Sequence, residues 1–208
     1  MPVVRPLANR VDPFGALFAT PERGSVFGNR GGRFHDPVSQ TVRGRTYASR
    51  QWICCRLSFK SRRRIVWGQG YTELFFSDEI AALAAGHRPC FECRRADAVA
   101  FAAAWGRVTG DKPPGVDTMD RQLDRERRFP GPRGAKRIHL MRAADLPDGA
   151  MILVADKPCA VKAGSLLRWS FTGYDHAGAL PQGPVRVLTP PSILGCLTHG
   201  YQPSWPEN

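Results

Sequence analysis

The chain has 208 residues, enough for one large domain or two small ones. It contains no apolar run long enough to cross a membrane, its first residues lack a signal-peptide core, and its six cysteines are too few for a disulfide scaffold. These features argue against the membrane-spanning and disulfide-stapled classes and predict a soluble, cytoplasmic protein with reduced cysteines. The 18 prolines and 21 glycines predict long ordered loops between short elements rather than a helical bundle.

Positive charge is concentrated in the first part of the chain. The net charge is +12; residues 1–110 carry 17 Lys and Arg against 8 Asp and Glu, a surplus of 9, which leaves 3 for residues 111–208. Of the 30 basic residues, 25 are arginine, whose planar guanidinium suits phosphates and guanine edges. A GC-rich genome would favour arginine over lysine, but it would not produce the net surplus. The charge balance therefore favours nucleic acid as a partner over a merely solvated basic surface.

Residues 1–48 are rich in glycine, arginine and proline, and their most distinctive part is the segment 28–36. Backbone amides of a glycine-rich turn can approach a phosphate closely, and Arg30 and Arg33 would add charge there. A purely structural turn fits the same residues, because the segment matches no phosphate-loop pattern. Both interpretations stay open at this point.

A β-hairpin is predicted next. Apolar and β-branched residues predict strands over 51–59 and 65–76, joined by a basic tip. Ser77 is the predicted N-cap of a short helix, and Gly86 is the predicted stop of that helix. A second helix is predicted over the alanine-rich run from Ala96 to Trp105.

Four of the six cysteines form two close pairs. Cys54 and Cys55 are adjacent, whereas two residues separate Cys90 from Cys93 just before the second predicted helix. Zinc prefers four thiolate or imidazole ligands in a tetrahedron, and a Cys-x2-Cys pair at a helix start is one half of many structural zinc sites. Two unrelated pairs of buried thiols are the alternative. The cysteines therefore predict a bound Zn²⁺.

The adjacent pair raises a geometric problem. Successive side chains of a strand point to opposite faces, so Cys54 and Cys55 on a regular strand cannot both bind one metal ion. Either a turn or bulge brings both to the ion, or one of them binds and another residue completes the set. The nearest histidines in sequence, His35 and His87, are the candidates for that place.

The residues around the second pair carry a family resemblance. They read Gly86-His87-Arg88-Pro89-Cys90-Phe91-Glu92-Cys93-Arg94-Arg95. Over about residues 50–97 the chain resembles the metal-binding domain of the Ada DNA alkylation-repair protein. In that family a short helix also ends in Gly-aromatic-Arg-Pro-Cys-x2-Cys-Arg. The upstream segment Trp52-Ile53-Cys54-Cys55-Arg56 is similar to that family's first ligand segment, in which several residues separate the two cysteines.

The resemblance implies a zinc ion held by four cysteines. Cys90 and Cys93 match the motif as ligands, and Cys54 and Cys55 are candidates for the other two places. It also implies that a cysteine of the first pair accepts a methyl group from a DNA phosphotriester. We expect no such transfer, because the first pair departs from the family's spacing. The chain also lacks a recognisable helix-turn-helix partner and the Pro-Cys-His-Arg motif of the base methyltransferases.

The remainder of the chain is predicted as a connector and a β-rich region. Residues 111–138 form a charged connector with one short helix over 119–128, and residues 139–208 form a small antiparallel sheet with a C-terminal helix. The predicted strands are 151–154, 159–161, 166–169 and 185–188, with a turn at 177–178 before the last. The predicted fold class is α+β. Its first 110 residues carry a hairpin–helix–zinc-knuckle–helix unit of treble-clef type, and a small antiparallel sheet forms the other half.

Catalytic candidates are few. Glu73 lies among aromatic residues on a predicted strand, where loss of hydration could raise its pKa into the range of a general acid or base. His35 and Asp36 could act as a base and its orienting carboxylate. Structural roles are favoured for both sites, namely a Glu73–arginine pair and a turn cap formed by His35.

Motif and charge together predict a zinc-containing protein that binds nucleic acid, with DNA favoured over RNA, in repair, modification or processing. One alternative is an enzyme that acts on DNA as a nuclease, glycosylase or phosphotriester methyl acceptor. The other is an adaptor whose zinc is structural and whose partner is a protein. The candidate nucleic-acid contacts are Arg30, Arg33, Arg62, Arg63, Arg64, Arg88, Arg94 and Arg95.

Overall fold

The computed structural model describes residues 5–206. The first elements in chain order are β1 (Arg10–Val11), β2 (Leu17–Phe18), β3 (Val26–Arg30), β4 (His35–Asp36), β5 (Thr41–Val42), β6 (Trp52–Arg56), β7 (Leu74–Phe76), α1 (Glu79–Ala84), β8 (Arg88–Pro89), α2 (Arg95–Thr109) and α3 (Val116–Arg127). The elements that follow are β9 (His139–Arg142), β10 (Met151–Val154), β11 (Lys157–Lys162), β12 (Ser165–Ser170), β13 (Gly173–Ala179), β14 (Pro184–Val187) and α4 (Pro191–Thr198). The predicted α+β class is confirmed. Among residues 5–206, no helix has the length and apolar character that a membrane crossing requires.

The first sheet has the strand order β2–β1–β7–β3–β6–β8. Strand β3 is antiparallel to both β6 and β7, so Phe27 pairs with Cys55 on one side and with Phe75 on the other. The predicted hairpin is therefore wrong, because β3 separates its two strands. Of the predicted second strand 65–76, only β7 is extended, and the residues before it form a loop.

Gly28 permits β3 to lie between these neighbours. A Cβ atom at position 28 would lie 2.7 Å from the Ile53 carbonyl oxygen and 2.7 Å from the Phe76 ring. A larger residue would collide with both adjacent strands, which is a recognised reason for glycine inside a strand. Residues 28–30 thus belong to a central strand rather than to the predicted glycine-rich turn, which is confined to Gly31 and Gly32.

The helices begin and end close to the predicted residues. The N-cap of α1 is Asp78 rather than Ser77, because its Oδ1 atom accepts the Ala81 backbone N–H at 2.8 Å. Gly86 has a φ of 87°, so the predicted stop is confirmed. Helix α2 extends past the predicted run to Thr109, and α3 begins three residues before the predicted 119–128.

The second sheet is antiparallel, with the order β13–β12–β11–β10–β14–β9. All four predicted strands of this region are present, and β9 and β13 are additional. The predicted turn at 177–178 is wrong, since both residues lie in β13. This edge strand pairs only with β12 in the described part of the chain and lacks an alternating apolar face, so periodicity could not reveal it.

Helix α1 is packed between the two sheets. Ile80 and Ala84 contact the apolar face of the second sheet, whereas Ala82 and Ala85 pack with Leu74 of the first. Helices α2, α3 and α4 share a further cluster with Leu83 of α1. The apolar clusters thus combine residues from both sides of the predicted connector. Because β8 and the second cysteine pair directly follow α1, this packing positions them.

Candidate metal centre and its cleft

Three buried cysteines form a cluster at the edge of the first sheet. The Sγ atoms of Cys55, Cys90 and Cys93 all lie within 4.8 Å of one another. A tetrahedral zinc site with Zn–S bonds of about 2.3 Å separates its sulfurs by about 3.8 Å. The three thiols are therefore close enough to bind one metal ion after small side-chain adjustments.

The pairing of strands β6 and β8, together with a tight turn after β8, brings these cysteines together. Strand β8 is parallel to β6, with Cys54 paired to Pro89, and the Cys90 backbone N–H donates to the Cys54 carbonyl at 3.0 Å. The chain then turns, as the Arg94 N–H donates to the Cys90 carbonyl at 3.0 Å. The Glu92 N–H points at the Cys90 sulfur at 3.4 Å. This turn places Cys90 and Cys93 on the same side as Cys55.

Cys54 lies outside the cluster, on the opposite face of β6. It is fully buried among apolar side chains that include Leu74 and Phe76. Its sulfur accepts a hydrogen bond from Arg94 Nη1 at 3.3 Å, and burial raises the pKa of the thiol. The assignment of Cys54 as a ligand is therefore wrong, and the strand alternation that made the adjacent pair a problem is the reason.

The three clustered thiols alter one another's pKa values. The Cys55 thiol donates hydrogen bonds to Cys90 and Cys93, and these bonds together with burial raise its pKa. The same hydrogen bond from Cys55 is the main cause that lowers the pKa of Cys90 to about 5, and it lowers the pKa of Cys93 as well. The cluster thus favours thiolate character at two sulfurs, which is the form that binds a metal.

Neither candidate histidine reaches the cluster. Both ring nitrogens of His35 are engaged, with Nδ1 2.7 Å from Thr72 Oγ1 and Nε2 2.9 Å from the Gly68 carbonyl. His87 is fully buried on the other side of the sheet, where its ring packs against Trp52 and Phe76. Within residues 5–206, the cysteine cluster therefore has three protein ligands.

The cluster opens onto a cleft of about 780 Å³. All three cysteines line this cleft, and so do Arg62, Arg63 and Arg64 from the loop after β6. Several aromatic residues complete its wall: Phe27, Phe59, Tyr71 and Phe91. Thiols that could hold a metal ion, positive charge and aromatic rings thus share one surface.

The arginine loop is partly held in place. Arg62 forms an ion pair with Glu92 on the cysteine turn, and both side chains are about half exposed. The Arg64 guanidinium lies 4.4 Å from the Phe27 ring centroid and donates to the Leu57 carbonyl at 2.9 Å. The side chain of Arg63 is exposed. This wall of the cleft therefore keeps cationic groups in contact with water.

Three other predicted phosphate contacts are buried structural residues. Arg30 is 1% exposed, Arg88 3% and Arg94 7%. Arg88 forms a bidentate pair with Asp120, and Arg94 bonds to Glu79 at 2.7 Å. Buried groups of this kind cannot contact a phosphate on the surface, so these three assignments are wrong.

Arg33 and Arg95 lie on the surface, and neither lines the cysteine cleft. Arg33 Nη1 donates to the backbone and side-chain oxygens of Gln69, which lines the cleft. Arg95 is the exposed first residue of α2. The predicted continuous arginine surface is thus reduced to the 62–64 loop, with Arg33 near one end.

The catalytic candidates hold structural positions. Glu73 Oε2 accepts the Trp67 backbone N–H at 2.9 Å, and its carbonyl accepts the Trp67 indole N–H at 2.9 Å. His35 stacks on the same Trp67 ring. Asp36 points to solvent and accepts from Ser39, whose hydrogen bonds lower the pKa of its carboxyl. The candidate pairing of His35 with Asp36 is not formed, because the two side chains lie on opposite faces of β4.

No protein-family model, curated protein or solved structure matches the chain. The resemblance to the Ada zinc domain therefore stays a prediction from residues 50–97.

The sequence analysis did not identify the acidic partners Glu79 and Asp120, which accept hydrogen bonds from Arg94 and Arg88, respectively. The spacing of the residues does not indicate which arginine each acid binds, since each pair joins different elements. For Asp120 the available signal was its position on the buried side of its helix with Met119 and Leu123.

Proposed function

We propose that the protein holds a Zn²⁺ ion on Cys55, Cys90 and Cys93 and binds nucleic acid, with DNA favoured over RNA, along the adjacent wall of arginines 62–64. One observation carries this proposal: the metal-binding thiols and the arginine loop line the same cleft. The proposed roles are repair, modification or processing of nucleic acid.

The chemistry of the cluster supports zinc. Thiolates are soft ligands that select zinc over magnesium or calcium, and two of the three ligands precede a helix whose N-terminus favours negative charge. One ligand from β6 and two from the turn before α2 are consistent with the treble-clef type of zinc knuckle. The six cysteines are free thiols, which fits a reducing compartment such as the cytoplasm.

Three protein ligands leave one position of the tetrahedron for water or a bound group. In catalytic zinc sites this open position faces the substrate cleft. The same arrangement here favours the alternative of an enzyme acting on DNA: a zinc ion held by Cys55, Cys90 and Cys93 would supply a Lewis acid, and a water of lowered pKa, for hydrolysis of a phosphoester in the cleft. The protein-adaptor alternative has no comparable observation in its favour.

The arginine wall supports nucleic acid as the partner. Arg63 and Arg64 form no ion pair with residues 5–206, so their charge is available to phosphates. Aromatic side chains beside a cationic groove are typical of single-stranded nucleic-acid sites, because bases stack on them. Phe59 and the exposed Tyr71 are placed for this role.

Metal analysis of the wild-type protein and two variants tests the zinc assignment. We expect one zinc per wild-type chain, none in a Cys90→Ser, Cys93→Ser double variant, and one in Cys54→Ser, whose sulfur lies on the other face of β6. In the Co²⁺-loaded protein, an exchangeable fourth position predicts that azide shifts the visible absorption bands. Zinc retained by the double variant would contradict the site, and bands insensitive to azide would indicate a fourth protein ligand.

Salt-dependent binding tests the arginine wall. Changing Arg62, Arg63 and Arg64 to Gln removes three charges, so we expect weaker binding to all sequences and a log–log salt slope smaller by about 2 to 3. A control triple variant of exposed arginines on the second sheet changes the net charge equally. Its residues are Arg142, Arg168 and Arg186. Equal losses in both triple variants would mean that the cleft has no special role.

A further inference from the structure

A second cavity of about 650 Å³ lies beside the first β-hairpin and the 133–136 loop. It shares no lining residue with the cysteine cleft. Phe14, Leu17 and Trp67 give it an apolar wall, and Lys136 and Arg133 contribute cationic groups. This volume and mixture of apolar and convergent polar groups are typical of small-molecule sites.

Buried positive charge lies directly behind this cavity. The Arg30 guanidinium donates to the carbonyls of Gly15 at 2.8 Å and Thr46 at 3.2 Å, and both residues line the cavity. Arg30 stacks on one face of Trp52, with its guanidinium carbon 3.9 Å from the ring centroid, and Arg127 lies 4.0 Å from the same centroid. Two arginines are thus held close together by one aromatic ring.

The acids of this region do not balance its cations. Four basic residues are clustered here: Arg30, Arg127, Arg128 and Lys136. Two acids accompany them: Asp12 and Asp124. Asp124 is shared by Arg127 and Arg128. Basic groups thus outnumber acids by two, four against two, and the exposed Arg133 on the cavity wall adds a further charge.

Polar groups of this cluster also lack partners. The Arg127 Nε atom and the His87 Nδ1 atom are buried without a hydrogen-bond acceptor or donor among residues 5–206. Burial, and after it the charges of Arg127 and Arg30, lower the pKa of Lys136 to about 7. Unpaired cations are costly to bury, and an anion in the adjacent cavity would offset that cost.

We infer that this cavity binds a small molecule that carries a phosphate monoester on an apolar body. A phosphate monoester has a charge of about −1.5 to −2 near neutral pH and would therefore offset this positive surplus. Lys136 and Arg133 would contact the phosphate, while Phe14, Leu17 and Trp67 would contact the apolar body. This inference is independent of the zinc and of nucleic-acid binding.

Calorimetric titration of the full chain with phenyl phosphate tests it, at constant ionic strength in chloride. We expect saturable binding with one site per chain, and at least about a tenfold loss of affinity in Lys136→Met, because a hydrogen bond to a charged group is lost. Arg133→Gln, at an exposed position, should weaken binding without affecting folding. Lys162→Met removes an exposed lysine that lies over Trp205 and should bind as the wild type does.

Three results would overturn the inference. The first is no measurable binding of phenyl phosphate to the wild-type protein up to millimolar concentration. The second is wild-type affinity in both Lys136→Met and Arg133→Gln. The third is binding that is lost in the Arg62, Arg63, Arg64 triple variant instead, which would place the phosphate in the cysteine cleft.

Discussion

The buried Arg88–Asp120 pair connects β8, which leads into the turn of Cys90 and Cys93, to helix α3, and it allows a quantitative prediction. Arg88 Nε and Nη2 each donate to an Asp120 carboxylate oxygen at 2.8 Å, and the side chains are 4% and 2% exposed. The Arg88 guanidinium also donates to the Pro89 carbonyl and lies over the Phe91 ring. Asp120→Asn keeps the shape of the acid but removes its charge.

The expected cost follows from the burial of both groups. Removing one partner of a buried ion pair leaves the other charge uncompensated, which typically destabilises a protein by about 3–5 kcal/mol. Domains have total unfolding free energies of about 5–15 kcal/mol. We therefore expect Asp120→Asn to lose about 3–5 kcal/mol, which is a fifth of the stability or more. The double variant Arg88→Met, Asp120→Leu should lose much less, because apolar residues of similar volume replace the whole pair.

Urea unfolding followed by circular dichroism measures these free energies. Asp117→Asn is the control, since Asp117 pairs with Arg121 on the exposed face of α3, where ion pairs contribute about 0–1 kcal/mol. An Asp120→Asn variant within about 1 kcal/mol of the wild type would refute the structural role. If Arg88→Met loses affinity for nucleic acid without losing stability, Arg88 contacts phosphate as the sequence analysis predicted.

Three further predictions concern Lys136, Gly28 and the cysteines. The pKa of Lys136 is lowered to about 7 in the folded protein, so above that pH the unfolded chain binds more protons than the folded one. The free energy of unfolding should therefore rise by about 2 kcal/mol from pH 7 to 9. Urea unfolding of Lys136→Met should lack this contribution. Gly28→Ala should destabilise the protein by about 2 kcal/mol or more in the same assay. Gly115→Ala is the control, because no atom lies within 4 Å of the added Cβ, and it should change the stability by about 0.5 kcal/mol or less. Intact-mass analysis after incubation with DNA containing methylphosphotriesters should show no added methyl group, and a gain that Cys55→Ser abolishes would contradict this.

Local features of the fold could be predicted because the responsible residues are close in sequence. The Cys-x2-Cys turn, the Gly86 stop and strands such as 151–154 each depend on neighbours within a few positions. The alternation of side chains along a strand also showed that Cys54 and Cys55 could not both bind one ion without a bulge. That conclusion about the metal site needed no tertiary information.

Pairing between distant segments could not be predicted from the sequence. The hairpin prediction assumed that consecutive strands pair. Instead, β3 lies between β6 and β7, although its last residue, Arg30, precedes the first residue of β6, Trp52, by 22 positions. The sequence contained the reason in Gly28, although a glycine that allows close approach and a glycine in a turn look alike locally.

The division of the arginines was decided only by the tertiary structure. Arg62, Arg63 and Arg88 are equally basic in the sequence, yet the first two are exposed and the third is buried. Arg88 is buried because its acidic partner, 32 positions later, is brought against it by the packing of α3. The sequence by itself determined the charge and the metal-ligand chemistry, whereas the fold determined which charges meet acids inside and which remain in contact with water.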